Sequence, residues 1–144
     1  MATLHVSFID APEALRAAFA IRHRVFVEEQ GVPAELERDA HDATSRHALA
    51  LLDGVPCGTA RWRLTPHGVK LERFAVLPEA RGQGVGRALV RALLDDTARH
   101  PAAAGRPRYL HAQQSAVGLY ERAGFRREGD RFLEAGLVHY KMVV

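Results

Sequence analysis

Hydrophobic and polar positions alternate along Thr3–Ile9, with Leu4, Val6 and Phe8 set against polar neighbours, the period of a half-buried strand. From Asp10 the period lengthens. Leu15, Phe19, Arg22 and Phe26 recur on one helical face, with Ala18, Ile21 and Val25 beside them. Asp10 reads as the cap of this helix, Pro12 and Glu13 as its first turn, and Gly31 and Pro33 as its end. Residues 34–44 are polar and acidic, the pattern of a loop or short helix. Arg46–Leu52 and Val55–Leu64 are strand-like runs joined by Asp53-Gly54, a strong hairpin turn signal. Thr65-Pro-His-Gly68 turns the chain into a third strand, Val69–Val76, which Pro78 ends. Val85, Leu89, Ala92 and Leu93 restore helical spacing until Pro101. Arg108–Ala112 predicts a short strand, and Ser115–Ala123 a helix with Gly124 just past its end. Phe125–Arg131 and Val138–Val144 form a final strand pair around Glu134-Ala-Gly136.

This order predicts one α/β (α+β) domain over residues 1–144. Its sheet is mixed, mostly antiparallel and six- to seven-stranded, with helices on its faces. The 144 residues are one domain's length, and 47% hydrophobic with 26% charged residues is the mix of a folded chain. The single cysteine, Cys57, excludes an intrachain disulfide and a cysteine-rich zinc site, so no metal is expected. Cys57 sits in Val-Pro-Cys-Gly with no motif histidine beside it, the setting of a buried thiol rather than an acyl-carrying nucleophile. No apolar run approaches the ~20 residues of a membrane span, and Met1–Asp10 lacks a signal-peptide pattern. A soluble, cytoplasmic protein with no membrane partner is the expectation.

Charge is uneven. Residues 1–57 hold 5 basic and 9 acidic side chains, and residues 58–144 hold 15 and 8, although the whole chain is only +3. Eighteen of the twenty cations are arginine, whose planar fork suits phosphate. The second half therefore permits an anionic partner, as compositional bias alone would also produce. Nucleic acid is not expected, because 7% aromatic residues offer few stacking surfaces.

The segment with the most chemistry is Leu71-Glu-Arg-Phe-Ala-Val76-Leu-Pro-Glu-Ala-Arg81-Gly-Gln-Gly-Val-Gly86: strand, glycine-rich turn, helix. Gly82, Gly84 and Gly86 let an anion approach the backbone, and the free N–H groups of the helix start point at it. This is the arrangement of a pyrophosphate cradle. The Walker A pattern is absent, since no Gly-Lys-Ser/Thr follows. The Rossmann spacing fails because its third glycine would fall on Arg87.

Arg81-x-x-Gly84-x-Gly86 after a Phe-Ala-Val strand resembles the acyl-CoA-binding motif of the GNAT N-acetyltransferase superfamily. Ala116-Val-Gly-Leu-Tyr120-Glu-Arg-Ala-Gly124-Phe125 resembles that family's second landmark. Together the two span residues 69–125. More narrowly, Arg22-His-Arg-Val-Phe-Val-Glu-Glu-Gln30-Gly-Val-Pro33, Ala112-Gln113 and Glu134-Ala-Gly-Leu-Val-His139 resemble the ElaA/YjcF-like branch. The resemblance implies a fold in which strand four splays from strand five and acetyl-CoA lies in the gap. Phe74, Ala75 and Val76 would then pair with pantetheine, and Arg81, Gly82, Gln83, Gly84, Val85 and Gly86 would hold the pyrophosphate. Gln113 stands where many members carry a cofactor-contacting asparagine.

In the same resemblance Tyr120 is the residue that protonates the departing thiolate, against the alternative of an aromatic packed on its helix. Glu72, on the strand just before the acyl-binding residues, is the first candidate for general base. A structural pairing of Glu72 with Arg73 or Arg61 is its other reading. His111, His139 and Glu28 are rival bases or, with Arg22, acceptor contacts. Arg22 lies on the apolar stripe, so a buried ion pair or an anion contact are both open for it. The acidic residues from Glu28 to Asp42 mark the expected acceptor side. The implied activity is transfer of an acetyl group from acetyl-CoA to a small-molecule or peptide amine. The alternatives are an acyl-homoserine-lactone-synthase-like acyltransferase, suggested by Arg22–Phe26, and a non-catalytic CoA-binding regulatory domain. A homodimer is compatible with the sequence.

Overall fold

The structure is a computed structural model that describes residues 1–144. One eight-stranded sheet forms its frame: β1 (Leu4–Ile9), β2 (Arg46–Leu52), β3 (Val55–Thr65), β4 (Gly68–Val76), β5 (Arg108–Gln113), β6 (Arg126–Arg127), β7 (Phe132–Glu134) and β8 (Leu137–Val143). The spatial order is β1-β2-β3-β4-β5-β8-β6, with β7 also on β8. All pairs are antiparallel except β4 with β5. The β2–β3 hairpin turns on Asp53 and Gly54, both at positive φ, as a two-residue loop requires.

The final strand pair differs from expectation, and the sheet gains a strand by it. The 125–131 run contributes only the two-residue β6, because Gly129 at φ +82 turns the chain away. The hairpin partner of β8 is instead β7, across a turn at Ala135-Gly136 where both residues have positive φ.

Helix α1 (Pro12–Arg22) starts from Ala11 with no side-chain cap, so Asp10 does not have the capping role expected of it. It continues as a π-helical segment, His23–Glu29, before Gly31. A short α2 (Ala34–Glu37), α3 (Val85–Arg99) and α4 (Val117–Arg122) follow. Strand alternation supplies two cores. Ala48, Trp62, Leu71, Leu110 and Met142 meet Val85, Leu89 and Leu93 of α3 on one face. Leu49 and Ala75 meet Ala18, Ile21 and Val25 on the other. No helix is long and apolar enough to cross a membrane.

The second face also carries a buried ion network. Arg61 of β3, 1% exposed, bonds Asp39, Asp42 and Glu72, while Arg22 of α1 bonds Glu37 and Asp42. Arg63 and Lys70 meet Glu72, and Arg73 meets Asp39 and Glu37. Asp39 also caps the 3₁₀ turn Ala40–Ala43. The acidic stretch is thereby pinned to the sheet, and removing one partner of such a buried pair costs about 3–5 kcal/mol.

The network predicts acid sensitivity. Despite their burial, the arginines around them hold the carboxyls of Asp42 and Glu72 below the carboxylate range, Glu72 from 4.5 down to about 2. Their folded pKa is the lower one, so their contribution is complete above pH 4.5 and is lost as pH falls towards 2. Burial lowers the His47 pKa below 6.5, which adds an earlier loss. Chemical denaturation followed from pH 7 to pH 2 is expected to show stability falling in both windows. A flat profile would mean that the network contributes nothing.

Candidate functional site

Strand β4 pairs with β5 only from Val69 to Leu71, opposite Arg108–Leu110. Beyond that β4 runs on to Val76 and β5 to Gln113 without pairing, and the two part. The cause lies on the β3 side of β4. Arg61 faces Glu72 and Thr59 faces Ala75, so Ala60 alone stands opposite Arg73 and Phe74. This bulge bends the strand. Arg73 adopts φ +60 there, a costly conformation for a residue with a Cβ. Its guanidinium is tied to the carbonyls of Glu37 and Leu36 and to Asp39. Phe74, Ala75 and Val76 lie past the last β4–β5 pair, so their edge towards β5 has no strand partner.

The gap opens into a cavity of ≈ 1070 Å³. One end is the turn from Gly82 to Gly86. None of the main-chain N–H groups from Gly82 to Arg87 has a partner within the chain. Gly82 and Gly84 are at φ +78 and +84, and a Cβ at either would meet nothing within 4 Å. Backbone conformation demands these two glycines, and the space beside them is open. Gly86 differs. A Cβ there would lie 3.3 Å from Leu119, so this glycine also lets α3 pack closely against α4. Six consecutive unpaired donors thus lead into the start of a fifteen-residue helix, an arrangement whose partial positive charge favours an anion.

Arg81 lines the cavity, but its guanidinium donates to Glu29 at 2.7 Å through each Nη and to the Val76 carbonyl at 3.0 Å. With the Arg24–Glu79 pair it clasps the π-helical segment to the turn. The cations without partners here are Arg87 and Arg122, both exposed and both lining the cavity. The sequence reading passed over them, because a lone arginine on a helix carries no local signal. Gln83 bonds the Glu79 carbonyl, and Val85 is buried against the sheet. Gln113 donates to Gln30 at 2.8 Å across the cavity.

Tyr120 stands at mid-cavity, 6% exposed, its ring packed edge-on against Phe74 and Phe125. Its hydroxyl has no partner within the chain, and burial pushes its pKa well up, which keeps the proton on oxygen. Glu72 also lines the cavity, but Arg61, Arg63 and Lys70 surround it and depress its pKa.

On the β5–β8 side, His111 Nδ1 lies 3.1 Å from Glu134, whose second oxygen is 3.6 Å from His139 Nε2. His139 Nδ1 contacts the Leu137 carbonyl, and Phe132 packs between the two imidazoles. A carboxylate accepts, so His111 Nδ1 donates to it and its Nε2 is left as a proton acceptor. His111 lowers the Glu134 pKa. Glu134 was legible only as part of a motif, because its partners lie on other strands.

Two expected acceptor contacts lie elsewhere. Arg22 is 1% exposed and held by Glu37 and Asp42 inside the core, outside the cavity. Glu28 is on the surface near His23 and does not line the cavity either. Most of the acidic stretch is already paired with arginine. Cys57 is buried away from the cavity, as expected of a packing thiol.

A family model described as an acetyltransferase (GNAT) domain matches residues 10–144. The chain is 39% identical over 132 residues to the uncharacterized N-acetyltransferase YjcF of Bacillus subtilis, covering 91% of this chain and 92% of that one. Crystal structures of Escherichia coli ElaA and of an acyl-CoA N-acyltransferase from Pseudomonas aeruginosa each superpose with a TM-score of 0.84. Each covers 99% of both chains, at 26% and 27% identity respectively.

The His111–Glu134 contact predicts a tautomer. Long-range ¹H–¹⁵N spectra are expected to place the proton of neutral His111 on Nδ1, and Glu134→Ala to release it to the mixture of a free imidazole. A wild-type His111 protonated on Nε2 would dissolve the pair.

Proposed function

The chain belongs to the GNAT acetyltransferase family, in its ElaA/YjcF-like branch, and from that premise we propose that it transfers an acetyl group from acetyl-CoA to a primary amine by direct attack. One observation carries this reading. The turn with the unpaired N–H groups (Gly82 and Gly84–Arg87), the β4 edge at Phe74 and Val76, which no strand covers, and Tyr120 line one continuous cavity. An extended ligand with a diphosphate at one end and an acyl group at the other fits that sequence of groups. The main-chain amides bind the diphosphate, and Arg87 and Arg122 add positive charge beside it. The β4 edge orients the pantetheine amides and the thioester carbonyl. Gln113, tied to Gln30, borders the route rather than gripping the ligand.

The amine nitrogen forms the new bond to the carbonyl carbon, the carbon–sulfur bond breaks, and CoA leaves as the thiolate. Tyr120 is the donor to that sulfur. Its raised pKa makes full proton transfer to a thiolate of pKa near ~8.5 uphill, so a hydrogen bond is its contribution. The harder proton is on the acceptor. An alkylammonium of pKa ~10.4 must lose it at a cost of roughly 4.6 kcal/mol at neutral pH. Glu72, held down to about 2 by three cations, is a poor acceptor for it, and we assign it to the ion network. His111, with Nε2 free and Nδ1 fixed by Glu134, takes the base role. Holding the two reactants together supplies several kcal/mol more.

Two outcomes test the reading. Gly84→Asp is expected to abolish CoA binding in calorimetry while the thermal melt stays cooperative; normal binding would move the diphosphate elsewhere. Tyr120→Phe is expected to lower kcat by about one to two orders of magnitude with CoA affinity unchanged. Undiminished turnover in a thiol-release assay would return Tyr120 to packing.

A further inference from the structure

One wall of the cavity carries cationic donors that its carboxylates do not use up. Of the ion network, Arg63, Lys70 and Arg73 line the cavity with Glu37, Asp39 and Glu72, while Arg22, Arg61 and Asp42 lie outside it. The buried members are satisfied. The unused donors are those facing the cavity. Arg63 bonds Glu72 only through Nε, and neither Nη has a partner within the chain. Lys70 approaches Glu72 no closer than 3.4 Å and makes no hydrogen bond. Both side chains are largely buried, 18% and 15% exposed. Glu134 lies close enough to Lys70 for their charges to attract, but no ion pair or hydrogen bond joins them, and His111 holds the carboxylate.

We infer that the acceptor carries a carboxylate close to its amine, an α-amino acid or near analogue, and that Arg63 and Lys70 bind that carboxylate. Cationic donors largely removed from water call for an acceptor, and a guanidinium with both Nη free matches a carboxylate in bidentate geometry. Register makes the span right. Arg63 pairs with Lys70 across β3–β4, and Lys70 stands opposite Tyr109, two residues before His111. Strand spacing separates Lys70 from His111 by about 8 Å. A small zwitterion anchored at the first presents its ammonium near the second. This inference rests on the acetyl-transfer reading of the cavity.

The test is steady-state thiol release with acetyl-CoA against the common α-amino acids, each beside its carboxamide and its decarboxylated amine. The expected result is a kcat/KM about tenfold or more higher for the carboxylate member of the pair. In Arg63→Gln, and separately in Lys70→Gln should the first fail to fold, that carboxylate-to-amide ratio should collapse towards one. A general loss of structure would not move it. Equal or better turnover of the amides or amines overturns the inference, as does turnover of no carboxylate acceptor by a protein that binds acetyl-CoA. An unchanged ratio in the folded variants overturns it too. Failure of the wild type to bind acetyl-CoA in calorimetry overturns the underlying reading with it.

Discussion

Strand β4 leaves β5 after Leu71, and the cavity exists because it does. A fully paired sheet would satisfy its main chain internally and offer a ligand only side chains. The bulge at Arg73 bends β4 away, and the left-handed backbone there persists because Glu37, Leu36 and Asp39 hold the guanidinium in place. The parted edge runs into the turn at Gly82–Gly86, so one stretch of chain lines the cavity with main-chain donors and acceptors. Main-chain groups are well suited to this. They cannot change rotamer, and the sheet and α3 position them before any ligand arrives.

The sheet divides the work between its faces. Beneath α3 it is apolar and rigid, and Tyr120 is anchored there by Phe74 and Phe125. On the α1 face a smaller apolar cluster is joined by the ion network. Arg61, buried in the middle, binds the 34–44 segment to β3 and β4, and that segment in turn holds the bulge. Fold stability and cavity shape are thus coupled through one ion network. Glu72 is one of its central members, which is why a carboxylate so well sited for proton transfer has so little proton affinity. On the neighbouring strands, by contrast, Glu134 fixes the His111 imidazole through its Nδ1.

Most elements were legible from pattern alone. Asp53-Gly54 announced its hairpin through the backbone freedom of two residues, and the Val85–Arg99 stripe announced α3 through its period. The glycine turn and its open backbone were legible for the same local reason. Misreadings came where the partner was distant. Asp10 looked like a cap, yet Ala11 begins the helix. The 125–131 run looked like a strand, yet Gly129 and Asp130 release it after two residues, and β8 takes Phe132–Glu134 instead.

The site shows the same division. Periodicity, turn chemistry and motif spacing lie within a few residues of each other, so the linear chain specified the order of elements, the cradle and the place of Tyr120. Charge partners are chosen by register and by how loops pack across strands. Folding therefore settled that Arg22 is buried rather than open to an acceptor, that Arg81 grips Glu29, that Glu72 is surrounded by cations, and that Glu134 reaches His111. An ion pair belongs to two positions at once, and only the three-dimensional arrangement brings residues such as Arg61 and Asp39, or His111 and Glu134, within reach of each other.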